Sequence, residues 1–141
     1  MKIATTEDIP EITNMAMDFL EVSGYADLGN EKTITKLITD VVTSSQTEKI
    51  ILLKPDIGFI AGIATSFLFG DCLLATEIAW WVNPDSRGSG EGLKLLGAFE
   101  YWAKHVAECK LISMSSLDKE IEKYYKKNGY KLYERAYMKV L

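Results

Sequence analysis

The run Val82-Asn83-Pro84-Asp85-Ser86-Arg87-Gly88-Ser89-Gly90-Glu91-Gly92 constrains this chain more than any other stretch. An apolar, aromatic segment (Ile78, Trp80, Trp81, Val82) leads into it, and a helical pattern through Leu93, Leu96, Phe99, Trp102, Ala103 and Val106 follows. The predicted order is therefore strand, Pro-containing turn, glycine loop, helix. A helix N-terminus has unpaired N–H groups and the positive end of a dipole, so it accepts anions. Glycines ahead of it remove side chains that would keep a pyrophosphate away, and Arg87 adds a charge-assisted contact. A plain surface turn is the alternative, and three alternating glycines directly before an amphipathic helix weigh against it.

Two familiar phosphate loops do not fit. A Walker A loop needs GxxxxGK followed by Ser or Thr, but Gly92 is followed by Leu93, Lys94 and Leu95. A dinucleotide fingerprint needs GxGxxG, and counting from Gly88 or Gly90 its last glycine falls on Leu93 or Leu95.

The rest of the chain supplies the frame. Lys2–Ala4 suits a short strand, and Thr6 offers a cap to a helix with Glu7, Asp8 and Pro10 in its first turn. Ile9, Ile12, Ala16, Phe19 and Leu20 give that helix an apolar stripe ending near Ser23-Gly24. Ile34, Leu37, Ile38 and Val41 predict a second helix over Glu31–Thr43. Ile50–Leu53, Phe59–Phe69 and Leu73–Val82 read as three antiparallel strands, the last two joined by a tight Gly70-Asp71 turn. Downstream come a strand over Lys110–Ser115, a helix over Asp118–Asn128 with Gly129 beyond it, and two closing strands, Tyr130–Tyr133 and Ala136–Leu141. The order is β α α β β β α β α β β, an α/β (α+β) chain with a mixed sheet in a single domain, 1–141.

Composition excludes several classes. With 141 residues, 48% apolar and 26% charged, the chain can build one real core. Its longest uncharged stretch, Ile57–Gly70, is interrupted by glycines and is shorter than the roughly 18–20 residues of a membrane span. The N-terminus has no apolar signal core, so a cytoplasmic protein is expected. A net charge of −4 disfavours nucleic acid as a partner. Cys72 and Cys109 stand far apart, without a CxxC spacing, and His105 is the one histidine, so the expectation is reduced thiols and no metal.

The glycine loop resembles the acetyl-CoA loop of the GNAT superfamily of N-acetyltransferases, Arg/Gln-x-x-Gly-x-Gly/Ala. Arg87, Gly90 and Gly92 match it, and Val82-Asn83-Pro84 matches the family's approach to the Arg. Tyr124-Tyr125-Lys126-Lys127-Asn128-Gly129-Tyr130 is similar to the family's Tyr-x-Lys-x-Gly-(Phe/Tyr) segment. The element order agrees along the whole chain. The resemblance implies a twisted, mixed sheet of six or seven strands flanked by about four helices, with a cleft where two strands part.

It also implies chemistry. Trp81 and Val82 would hold the pantetheine arm of acetyl-CoA through their backbone, and Arg87, Gly88, Ser89, Gly90, Gly92 and Leu93 would hold its pyrophosphate. An amine acceptor would attack the thioester directly, with no acyl-enzyme and no metal. Tyr125 matches the family's general acid, with a packing tyrosine as the alternative. Glu77 is the candidate base, with an ordinary strand glutamate as the alternative, because a one-residue slip would turn it to the other face. Asp118 stands where many relatives have Asn, and a helix cap explains it without a functional role. Trp80, Trp81, Tyr124 and Tyr137 suit either an acceptor wall or the core. Dimers are common among relatives, so a homodimer is open to this chain.

Two other functions compete. One is a non-catalytic acyl-CoA-binding sensor or interaction module of the same fold. The other is a toxin-like acetyltransferase acting on charged tRNA, which the acidic balance opposes.

Overall fold

Two layers of helices enclose one sheet in the computed structural model, which describes residues 1–116 and 118–141. The elements are β1 (Lys2–Ile3), α1 (Ile9–Ser23), α2 (Glu31–Thr43), β2 (Lys49–Lys54), β3 (Gly58–Ser66), β4 (Leu73–Val82), α3 (Glu91–His105), β5 (Leu111–Ser113) and α4 (Lys119–Lys127). The strands lie in the order β1-β2-β3-β4-β5. The first four form an antiparallel meander, and β5 returns parallel to β4 after α3.

Alternation along the strands divides the core. Ile50, Leu52, Ile60 and Ala75 face α3 and α4, where they pack with Leu95, Leu96, Phe99, Trp102 and Tyr125. Ile51, Leu53, Phe59, Ala61 and Trp81 face α1 and α2, where they meet Ile12, Met15, Ile38 and Val41. Gly62 is required by this packing. A Cβ there would stand 2.4 Å from the Phe99 ring and 2.9 Å from the Thr76 carbonyl.

Sequence signals set most helix ends. Asn30 caps α2 by accepting the Thr33 N–H at 2.9 Å, and Gly24 ends α1 with a left-handed φ of +83°. At the N-terminus a 3-10 turn, Thr6–Asp8, precedes α1. The Asp8 carboxylate there accepts the Thr5 N–H at 2.8 Å, so Thr5 caps the turn, and the cap position of α1 itself falls on Asp8 rather than Thr6.

Two expectations need correction. Gly70 does not have the left-handed φ of a tight turn, and the β3–β4 connection is a wider loop over residues 67–72, closed by the Phe67 N–H on the Cys72 carbonyl at 2.9 Å. The sheet has five strands among the described residues, not six or seven. The segments expected to close it, Tyr130–Tyr133 and Ala136–Leu141, form no strand and join no sheet among the described residues. Their apolar patterns suit strands, but a strand forms only where a partner edge meets it, and here none does.

One irregularity positions the site. In the β3–β4 ladder Ala61 pairs with Ala79, but Gly62 pairs with Glu77, so Ile78 is an extra residue in β4. Such a bulge bends its strand and reverses the alternation beyond it. Before it, Ala75 faces α3, as does Glu77 opposite Gly62. After it, Trp80 and Val82 face α3 instead of Ala79 and Trp81.

Candidate active site

β4 parts from β5 at the bulge. The parallel pairing covers only Leu74↔Leu111, Ala75↔Ile112 and Thr76↔Ser113. From Glu77 to Val82 the edge of β4 on that side has no strand partner among the described residues. A free edge of this kind presents N–H and C=O groups to an extended ligand. It leads directly to the glycine loop and the N-terminus of α3.

That N-terminus is open. Its cap residue is Gly90, with φ of +83°, and no side chain caps the first turn. Gly88 is also left-handed, at +80°. A Cβ built at either glycine would meet no atom within 4 Å, so the space above both is clear. Gly92 is different: its Cβ would lie 3.3 Å from Val82 and 3.5 Å from Trp80, so α3 begins hard against β4.

The loop's side chains are already partly engaged. Arg87 turns back over the strand, with its Nε–H donating to the Val82 carbonyl at 2.9 Å and its guanidinium 4.8 Å above the Trp81 ring. Its terminal nitrogens are left for other partners. The Ser89 hydroxyl donates to the Ser86 carbonyl at 2.5 Å, which shapes the loop from within. Leu93 is exposed on the first turn of α3.

Glu91, also on that turn, would repel an anion if left alone. Lys54 from β2 and Lys94 from α3 both pair with it. Lys54 first and Lys94 second hold its carboxyl below the usual glutamate range. The three side chains together carry one positive charge, which suits the dipole behind them.

At the other end of the cleft, Glu77 and Tyr125 are brought together. The Glu77 carboxylate accepts the Ser115 N–H at 3.2 Å, and the Tyr125 hydroxyl donates to the Ser115 carbonyl at 3.2 Å. Burial raises the Glu77 carboxyl above its ordinary value, and the Ser115 N–H opposes only part of that. Burial first, and the Glu77 charge second, push the Tyr125 hydroxyl well above the usual phenol range. The site thus holds a reluctant carboxylate beside a phenol that keeps its proton.

Other candidates sort by position. Asp118 caps α4, with its carboxylate accepting the Glu120 N–H at 2.9 Å. Trp81 is buried against α1 and α2, and its indole N–H donates to Asn83 at 2.9 Å, so its side chain belongs to the core. Trp80 lies on the cleft face beside Gly92, and its buried indole N–H has no partner among the described residues. Tyr124 packs against the α3-side core, and Tyr137 stands exposed on the C-terminal segment, away from it. Burial raises the Cys109 thiol, so it offers no activated nucleophile. Lys54 and Ser115 were not foreseen. Lys54 lies far from Glu91 in sequence, and Ser115 acts through its backbone, which leaves no signature.

No family model matches the chain, and no curated protein matches it in sequence. Solved structures do match it in three dimensions. A GNAT family acetyltransferase from Staphylococcus aureus superposes with a TM-score of 0.70 at 20% identity, over 99% of this chain and 96% of its own. A Pyrococcus furiosus protein named provisionally as an acetyl transferase gives 0.73 at 22% identity, over 99% of each chain. A protein from Bacillus halodurans described as a transcriptional regulator gives 0.76 at 17% identity, over 99% of this chain and 97% of its own. Together with the parting of β4 from β5 and the glycine loop ahead of α3, these likenesses establish that the chain has the fold of the GNAT acetyltransferases.

Proposed function

We propose that this chain is an acetyl-CoA-dependent N-acetyltransferase that acts on a primary amine of a small molecule or a protein. One observation carries the reading: the free edge of β4 from Glu77 to Val82 runs into the uncapped, glycine-led N-terminus of α3. An extended pantetheine needs the first feature, and a pyrophosphate needs the second. Backbone groups of Trp81 and Val82 line the pantetheine track. Gly88, Ser89, Gly90, Gly92 and Leu93, with Arg87, form the pyrophosphate cradle. The orphaned Trp80 indole N–H faces the same cleft and suits a ligand acceptor.

The thioester supplies an activated acetyl group when bound, and the chain supplies positioning and proton transfer. An alkyl ammonium must first lose a proton, because only the neutral amine has a lone pair for the new C–N bond. Glu77, raised by burial, takes that proton, directly or through one water, and passes it to solvent, and the second nitrogen proton leaves to solvent once the C–N bond has formed. As the C–S bond breaks, the departing sulfur takes the Tyr125 proton, and solvent restores it. The balance is one amide, one thiol and one proton released from each ammonium and thioester. The two free cysteines, one buried, fit both direct transfer and a cytoplasmic setting.

A second reading is an acyl-CoA-binding module without catalysis. It is favoured by the engagement of the Tyr125 hydroxyl with the Ser115 carbonyl, which a purely structural tyrosine would also make. Calorimetric titration with acetyl-CoA, followed by a thiol-release assay across an amine panel, separates the two. Binding with turnover supports the enzyme. Binding without turnover on any amine supports the module, and no binding overturns both.

A further inference from the structure

Asn83 joins the end of β4 to the 3-10 turn Pro84–Ser86 that enters the glycine loop, and all four of its polar atoms are engaged. Its N–H donates to the Ile57 carbonyl at 2.8 Å, and its carbonyl accepts the Ser86 N–H at 2.9 Å. The side-chain amide reaches in two directions. Its Oδ1 accepts the Trp81 indole N–H at 2.9 Å, and its Nδ2–H donates to the Asp56 carbonyl at 3.0 Å. A carboxylate could not do both, because it only accepts.

The far anchor is fixed. Asp56 lies in the β2–β3 turn with a left-handed φ of +62°, and Glu11 of α1 accepts its N–H at 2.6 Å. A non-glycine residue stays in that region only when its surroundings hold it there. The Asp56 carbonyl is therefore a firm point, and Asn83 passes its position on to the Trp81 ring. Phe19 steadies the same ring from α1, with centroids 5.9 Å apart.

Arg87 rests on that ring. Its guanidinium lies 4.8 Å from the Trp81 centroid, and its Nε–H donates to the Val82 carbonyl at 2.9 Å. It forms no ion pair among the described residues, so its terminal nitrogens keep their charge for a ligand. An arginine laid on a fixed aromatic face has already given up rotamer freedom, and an arriving anion meets it in order.

We propose that Asn83 is a positioning residue: it fixes the plane of Trp81, and through that ring it holds Arg87 ordered to receive an anion at the N-terminus of α3. Reading that anion as the pyrophosphate of acetyl-CoA rests on the function proposed above. The ordering of Arg87 does not.

The test pairs a ligand-free readout with a ligand-bound one, both on the full chain. The chain has two arginines, Arg87 and the exposed Arg135, so their Nε–H resonances can be followed separately by NMR. The Arg87 signal should be displaced by the Trp81 ring, and in Asn83→Ala it should move toward that of Arg135. Acetyl-CoA affinity by calorimetric titration should fall about fivefold in the same variant. Arg87→Ala and the double variant should bind alike, because Asn83 acts through Arg87. In turnover assays the loss should appear in the KM for acetyl-CoA with kcat unchanged. A merely structural asparagine would lower the melting point and leave the Arg87 signal and KM alone. Should Asn83→Ala fail to fold, Asn83→Ser carries the same expectations, because its shorter side chain cannot span both partners. An unchanged Arg87 signal overturns the proposal whatever the titration gives. Parental affinity in the variant, or losses that multiply in the double variant, also overturn it. If the parent itself does not bind acetyl-CoA, the proposed function falls, and the Arg87 signal alone decides the role of Asn83.

Discussion

Glu77 on β4 and Tyr125 on α4 hold the two polar ends of one peptide residue, the carboxylate taking the Ser115 N–H and the hydroxyl giving to the Ser115 carbonyl. They are thus fixed relative to each other through Ser115. Removing the Tyr125 hydroxyl tests what that arrangement does. Tyr125→Phe should lower the thiol-release rate by about 100-fold, the scale of a lost proton donor, with little change in acetyl-CoA affinity. An unchanged rate in stopped assays would reduce Tyr125 to packing.

Tyr125 also makes a statement about pH. Its hydroxyl is raised by burial and by the Glu77 charge, so it keeps its proton beyond the ordinary phenol range. An alkaline fall in rate below about pH 10 therefore should not come from this residue. The acid limb should come from Glu77, above the ordinary carboxylate value, and a pH–rate profile of Glu77→Gln should lack it.

Glu77 should weaken the fold when ionised. A carboxyl raised in the folded state adds stability that is fully present below its unfolded value and disappears as pH rises through its folded value. At neutral pH the native state therefore holds a charge it would rather lose. Glu77→Gln, which keeps an acceptor for the Ser115 N–H, should melt higher than the parent at pH 7. The gap should close toward about pH 4. Thermal unfolding at both pH values checks the sign, and a lower melting point at pH 7 would contradict it.

Gly62→Ala tests the packing beneath the bulge. The new methyl would meet both the Phe99 ring and the Thr76 carbonyl at sub-contact distances, and the carbonyl belongs to the sheet. A loss of about 1–3 kcal/mol is expected in urea unfolding. Phe99→Leu in the same chain should recover part of it by vacating the ring positions.

The cradle separates stability from binding. Gly90→Ala meets no neighbour, so its structural cost is that of a left-handed backbone, about 1–2 kcal/mol. Its methyl would project into the clear space above α3, so acetyl-CoA affinity should fall by more than that. Arg87→Ala should leave the melting point nearly unchanged, because the side chain is exposed, and should weaken titrated acetyl-CoA by about tenfold.

The local features of this fold could be read in the chain. The stripe of Ile34, Leu37, Ile38 and Val41 defines α2, Gly24 ends α1, and the alternating glycines ahead of Leu93 mark the opening of α3. What could not be read depends on distant partners. Ile78 is an ordinary strand residue whose bulge exists only relative to Ala61 and Gly62. Leu132 and Val140 carry strand patterns, yet a pattern does not say which edge a strand will find. Glu77 could be named as a candidate, but its face was decided by the ladder. Lys54 meets Glu91 only once the sheet and α3 have been assembled.

The extra residue at Ile78 gives β4 two reading frames, one on each side of it. In the first, odd-numbered residues point at the cleft and include Glu77; in the second, even-numbered residues do, and Trp80 and Val82 lead into the glycine loop. Chemistry at one end and cofactor geometry at the other are therefore kept in step by a count rather than by a particular side chain. Ile78 is free to vary in kind, whereas a single-residue deletion beside it would turn one half of the cleft away from the other.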